Sequence, residues 1–197
     1  MSKKGTTTTT GYLEWDTFIS LITRLENKEE YKFSLLITIG VFTGLRISDL
    51  LNLKYSDILD NTILTIQEKK TRKTRKIKLN NDLKINVQRI YSKIGLNSPD
   101  EYIFINRFGT KPIDRSYVNV KLKELFSKYR IKIDGNISSH LFRKTLGRRV
   151  MEVNNYSNES LILLMELFGH SSMSITKRYL GIREQEINNV YDNLTLY

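Results

Sequence analysis

The chain contains no cysteine, which excludes disulfide bonds and thiolate metal sites. It contains only two histidines, His140 and His170. A pair so far apart does not suggest a metal site either. No apolar run approaches the ~18–20 residues that span a bilayer. The longest, Phe33–Leu45, is interrupted by Ser34, Thr38, Gly40, Thr43 and Gly44. The N-terminus, Met1-Ser2-Lys3-Lys4 followed by threonines, lacks the apolar centre of a secretion signal. These absences point to a soluble protein with no membrane partner, acting in the cytoplasm. Acidic residues are also few, 21 against 32 lysines and arginines, for a net charge of +11. That imbalance favours a polyanionic partner, nucleic acid first. The competing explanation is a basic protein that is merely soluble.

At 197 residues, 40% of them hydrophobic, the chain suits one packed domain. Residues 1–10 carry five consecutive threonines and no core-forming side chain. They read as a flexible tail, with the domain over 11–197. Phe18, Ile19, Ile22 and Leu25 repeat at helical spacing from Trp15 onward. Tyr31–Thr43 is apolar almost throughout and reads as a central, buried helix. Gly44 permits a turn where a β-carbon would clash, and a short helix follows. In it Arg46 and Asp49 lie three apart, on one face. The pair is either an ordinary surface ion pair or an arginine oriented to grip an anion.

Ile63–Glu68 and Thr74–Leu79 alternate as the two strands of an antiparallel hairpin. Its tip is Lys69-Lys70-Thr71-Arg72-Lys73, and seven of the ten residues from Lys69 to Lys78 are basic. Lysines on an edge hairpin can simply prevent aggregation, but this density suits a finger that tracks phosphates. Asp82–Ile94 follows as an amphipathic helix behind an Asn80–Asn81 cap. Tyr102–Ile105 is short and extended, Arg107–Pro112 is a turn, and Asp114–Tyr129 is a further helix.

Ser139–Leu180 holds both histidines. Ser138 or Ser139 is expected to cap a helix that starts with His140 and carries Arg143 on the same face. A helix start favours phosphate. Ser160–Phe168 reads as a helix with Gly169 as its C-cap. Ser171 or Ser172 then caps a short helix bearing Tyr179. Beyond it Ile187, Val190, Tyr191 and Leu194 form an apolar stripe on a terminal helix. That stripe packs either within the chain or on a neighbouring subunit.

Taken together, these segments resemble the boxes of the tyrosine recombinases, the phage-integrase family. Thr43–Leu50 is similar to the first arginine box, and His140-Leu141-Phe142-Arg143 to the His-x-x-Arg box. Leu167–Ser172, with Tyr179 nine residues after His170, is similar to the nucleophile box. Gln67–Thr71 followed by Lys76–Leu79 resembles the lysine-bearing hairpin. The boxes occur in family order over residues 43–180. The sequence departs from the family at Lys144, where a second histidine is common, and at Lys78, where a proline is common.

The resemblance implies an α+β, mainly α-helical catalytic domain, a helical bundle with a small antiparallel hairpin or three-stranded sheet at one edge. The N-terminal DNA-binding domain of full-length members is not matched. It implies cleavage and rejoining of double-stranded DNA through a 3′-phosphotyrosyl bond, without metal or other cofactor. In that scheme Tyr179 is the nucleophile, Arg46, Arg143 and His170 hold the phosphate, and His140 assists proton transfer. Lys70, preferred over Lys69 and Lys73, is the general acid, and Asp49 supports. Lys69, Arg72, Lys73, Arg75 and Lys144 would contact DNA, and the C-terminal tail would join subunits in a tetrameric synapse. Alternatives sharing the fold are a type IB topoisomerase-like relaxase and a catalytically idle DNA-binding accessory protein.

Overall fold

A computed structural model describes residues 10–96 and 98–194, without the side chains of residues 183–186 and 189. The helices in chain order are α1 Trp15–Asn27, α2 Tyr31–Thr43, α3 Ile47–Leu50, α4 Ser56–Leu59, α5 Asn81–Ile94, α6 Arg115–Lys128, α7 His140–Val153, α8 Asn158–Phe168, α9 Met173–Leu180 and α10 Ile182–Asp192. The strands β1 Ile63–Gln67 and β2 Thr74–Lys78 lie between α4 and α5. No helix among the described residues is long and apolar enough to cross a membrane.

The centre is α2, buried continuously from Ser34 to Val41 and packed on α1, α5 and α7. Its near-uniform apolarity is the sequence counterpart of contact on every side. Gly40 lets α7 approach closely: a β-carbon there would lie 2.6 Å from Phe142 Cδ2. This contact seats α7, which carries His140 and Arg143, directly on the core. A smaller apolar cluster, with Met151, Leu161, Leu164, Phe168, Leu180 and Ile182, joins α7, α8 and α9 beneath Tyr179.

The sheet has two strands among the described residues, antiparallel, with Ile63 opposite Lys78 and Gln67 opposite Thr74. Tyr102 and Ile105 pair only as isolated bridges, to Lys54 and Pro112, and add no third strand. Residues 1–9 of the expected tail lie outside the described residues. Thr10 does not behave as tail: it bridges Asn136, and its hydroxyl lies 3.0 Å from Ser138 Oγ.

Caps follow side-chain chemistry. Asn80 accepts from the amides of Asp82 and Leu83, and Ser172 from that of Ile175. Gly44 and Gly169 close α2 and α8 in the left-handed region, at φ 57° and 66°. Neither serine before α7 caps it with its hydroxyl. Ser139 has helical φ and ψ of −60° and −14°, and only the Ser138 backbone carbonyl takes the Leu141 amide.

Candidate active site

The left-handed turn at Gly44 ends α2 and reverses the chain, so Arg46 arrives at the start of α3 facing outward across the hairpin. Its Nη1 donates to Glu68 Oε2 at 2.5 Å and its Nη2 to the Phe168 carbonyl at 3.5 Å. The carboxylate that meets Arg46 is therefore Glu68, not Asp49. Asp49 instead accepts the Lys69 backbone amide at 2.9 Å, tying α3 to the hairpin tip. Burial pushes the Glu68 carboxyl up, but Thr71, Arg46 and Arg75 outweigh it and hold the carboxyl below the ordinary range.

Arg143 projects from the first turn of α7 and is buried. Nη1 donates to the Gly44 carbonyl at 2.7 Å and Nη2 to the Phe168 carbonyl at 3.2 Å. The guanidinium also lies over the Phe168 ring, 4.6 Å from its centroid. Arg46 and Arg143, 97 positions apart in the chain, thus converge on one α8 terminus. That carbonyl end carries partial negative charge, which helps two like charges sit together.

His170 follows the Gly169 cap. Its Nδ1 lies 3.0 Å from the hydroxyl of Thr176, which is fully buried and bonds in turn to the Ser172 carbonyl. This fixes the ring and leaves Nε2 toward the cavity. Tyr179 stands edge-on to His170 and Phe168, with centroids 5.1 and 5.5 Å away. Its hydroxyl donates to the backbone carbonyl of His140 at 3.4 Å, a long bond. Burial raises the Tyr179 pKa above its ordinary value, while Arg143 and Arg46 act against that rise. Burial lowers the pKa of both histidines, helped at His140 by Arg115, Arg143, Lys70 and Arg46, and at His170 by Arg143 and Arg46.

One open cavity of about 550 Å³ is lined by Arg46, Lys69, Lys70, Arg115, His140, Arg143, His170 and Tyr179. All six residues expected to do chemistry face it. Lys69, Arg72 and Lys73 are exposed around the hairpin tip. Arg75 and Lys144, expected on the DNA, turn inward instead. The register sets Arg75 opposite Ile66, on the sheet face that covers the α2 terminus. There it donates to the Thr43 carbonyl at 3.0 Å and approaches Glu68 Oε1 at 3.7 Å. Lys144, one step round α7 from Arg143, is buried and donates to the Thr10 carbonyl at 2.5 Å.

Two residues escaped the sequence reading, Arg115 in the cavity lining and Glu68 behind it, bonded to Arg46. Arg115 opens α6, and no motif distinguishes it from a surface arginine. Glu68 ends a strand pattern and resembles any polar strand residue until the fold sets it beside Arg46. Among the described residues no cluster of three or more His, Asp or Glu side chains is arranged to hold a metal ion.

The chain is 32% identical over 166 residues to the probable integrase/recombinase YoeC of Bacillus subtilis, covering 84% of each chain. It is 29% identical over 149 residues to the tyrosine recombinase XerH of Campylobacter jejuni, covering 74% of this chain but 40% of that one. In fold it resembles the XerA recombinase crystal structure, with a TM-score of 0.67 at 20% identity over 94% of this chain and 66% of that one. It also resembles a lambda integrase dimer bound to a core site, with a TM-score of 0.64 at 21% identity over 90% of this chain and 49% of that one. The Phage integrase family profile matches residues 12–186. The chain therefore belongs to the phage integrase family, the tyrosine recombinases.

Proposed function

We propose that this chain is a site-specific recombinase that cuts and rejoins double-stranded DNA through a covalent bond to Tyr179. The observation that carries the reading is the convergence of Arg46, Arg143, His170 and Tyr179 on one cavity bordered by Lys70. The phenol oxygen attacks a backbone phosphorus. The O–P bond to tyrosine forms, the bond to the 5′-oxygen breaks, and a 3′-phosphotyrosyl link and a free 5′-hydroxyl result. A second 5′-hydroxyl reverses the step on a new partner strand, so the phosphodiester energy is conserved.

A free tyrosine of pKa ~10 is only about 0.1% ionised at pH 7, and burial makes Tyr179 harder still to ionise. Two contributions overcome this. The neutral His140 imidazole accepts the phenol proton. Arg46 and Arg143, with N–H groups beyond those bound within the protein, stabilise the charge gathering on the non-bridging oxygens, and His170 Nε2–H joins them in the tautomer in which the Thr176 hydroxyl turns from the Ser172 carbonyl to donate to Nδ1. Each such donor contributes on the order of 10²–10³ in rate. Lys70 gives its proton to the departing 5′-oxygen. The two arginines supply planar, multi-donor contacts that lysine does not reproduce.

Lys69, Arg72 and Lys73 hold phosphates flanking the cut. The protein acts in the cytoplasm, and it self-associates on DNA as a tetrameric synapse, a reading supported by the exposure of Ile187, Val190 and Tyr191 on α10 and of Leu194 just beyond it. A supercoiled plasmid bearing two copies of a candidate site tests the function. Exchange of the flanking segments is the expected result. Relaxation without exchange identifies a topoisomerase, and salt-sensitive binding without either identifies an accessory protein.

A further inference from the structure

The catalytic scheme leaves unused a buried carboxylate bonded to the cavity-lining Arg46. Glu68 is 7% exposed. Its Oε2 accepts from both Arg46 Nη1 and the Thr71 hydroxyl, the latter at 2.7 Å. Its backbone closes the hairpin tip, donating to the Lys73 carbonyl at 2.9 Å and accepting from the Arg72 amide at 2.8 Å. The chain thus carries this carboxylate on a braced turn, with Lys70 two residues away. A second link crosses the first, because Asp49, three residues after Arg46, accepts the Lys69 amide.

Electrostatics alone argues against an acid here, since a carboxylate facing a phosphate-binding arginine repels the ligand and screens the cation. Geometry argues for it. Arg46 is the N-cap of a four-residue helix, with extended backbone and a long side chain. With Nη1 on Glu68 and Nη2 on Phe168, the guanidinium plane is fixed at both ends and its remaining N–H groups have preset directions. We propose that Glu68 is a positioning residue for strand transfer, locking the Arg46 guanidinium and the Lys70-bearing hairpin tip into one rigid unit. The phosphate-gripping cation and the acid for the leaving oxygen then keep a fixed separation. This rests on the recombinase reading above.

The test is single-turnover cleavage of a nicked duplex by the full chain, with duplex affinity and melting temperature measured alongside. Glu68→Ala is expected to slow cleavage on the order of 10- to 100-fold, the scale of misplacing a reacting group by about 1 Å, while duplex affinity is unchanged or slightly higher. Glu68→Gln keeps an acceptor for Arg46 and Thr71 and is expected to recover most of the rate. In an Arg46→Ala background neither substitution is expected to slow cleavage further, because residues acting as one unit are not additive. Should Glu68→Ala fail to fold, the smaller Glu68→Gln loss and its disappearance in Arg46→Ala read the same coupling. Equal losses with and without Arg46, or a lower melting temperature with no change in rate, overturn the proposal. A wild-type chain that cleaves no duplex overturns the recombinase reading instead.

Discussion

The guanidinium groups of Arg46 and Arg143 share an acceptor: each Nη2 donates to the carbonyl of Phe168, at 3.5 and 3.2 Å. Phe168 ends α8, and Gly169 then turns the chain toward His170. One helix terminus therefore sets the positions of three cavity-lining groups.

The two arginines are held differently, which predicts different outcomes on substitution. Arg143 spends one donor on Gly44 and another on Phe168, both in the interior. A lysine reaches one of these carbonyls and leaves the other with only a long 3.5 Å bond, from Arg46 to Phe168 or from Arg75 to Gly44. Arg143→Lys is expected to destabilise the fold by about 1–3 kcal/mol and to slow cleavage by 10² or more. Arg46→Lys, nearer the surface, is expected to slow cleavage comparably with little loss of stability. Thermal melts beside single-turnover rates separate the two.

The Thr176 hydroxyl orients His170. Thr176→Val keeps the buried shape but removes the partner of Nδ1. It is expected to reduce cleavage about tenfold, with rescue by Thr176→Ser. Equal rates for all three chains contradict the orienting role.

Gly147 fixes how closely α7 meets the nucleophile helix. A β-carbon there would lie 2.5 Å from Leu180 Cδ2 and 3.2 Å from the Phe168 ring. Although alanine favours helix, Gly147→Ala is expected to cost about 1–3 kcal/mol by overpacking. It also displaces Tyr179, next to Leu180, so cleavage falls more than the melting temperature alone explains.

Much of this site was legible because its signals are local. The near-continuous apolarity of Tyr31–Thr43 gave α2 with both ends correct. Glycine after an apolar run marked the turns at Gly44 and Gly169, and the resemblance to the family boxes singled out His140, Arg143, His170 and Tyr179. What the sequence hid depends on partners far along the chain. Arg46 and Asp49 share a helix face, yet Glu68, 22 residues on, takes Arg46 because the hairpin folds over α3. Arg75 and Lys144 read as DNA contacts, but the backbone carbonyls of Thr43 and Thr10 claim them. The apolar stripe on α10 was equally compatible with packing inside the chain, and only the fold shows it exposed.

The pKa directions set a pH profile. His140 lies below the ordinary histidine value of 6.5, so its proton-accepting form is present at pH 7 and is lost only as pH falls through the lowered value. At limiting DNA, which reports the free enzyme, cleavage is expected to stay level from pH 7 to 6.5 and to fall below that. In His140→Gln the acid limb disappears, and the residual rate climbs with pH toward the raised pKa of Tyr179. An acid limb unchanged in His140→Gln assigns the titration elsewhere.

Glu68 also links pH to stability. Its folded pKa is depressed, so its contribution is fully present above the ordinary carboxylate value and is lost as pH falls through the folded one. Melting temperature is expected to drop as pH falls below the ordinary carboxylate value, and Glu68→Gln to flatten that drop.

The central claim is that Tyr179 becomes joined to DNA. Nicked duplex carrying a candidate site is incubated with the chain, denatured and digested, and the DNA-bearing peptide is identified by mass spectrometry. The expected result is an adduct on the Met173–Leu180 helix at Tyr179, abolished in Tyr179→Phe and retained in Tyr191→Phe. An adduct that persists in Tyr179→Phe, or that maps to Tyr191, contradicts the account.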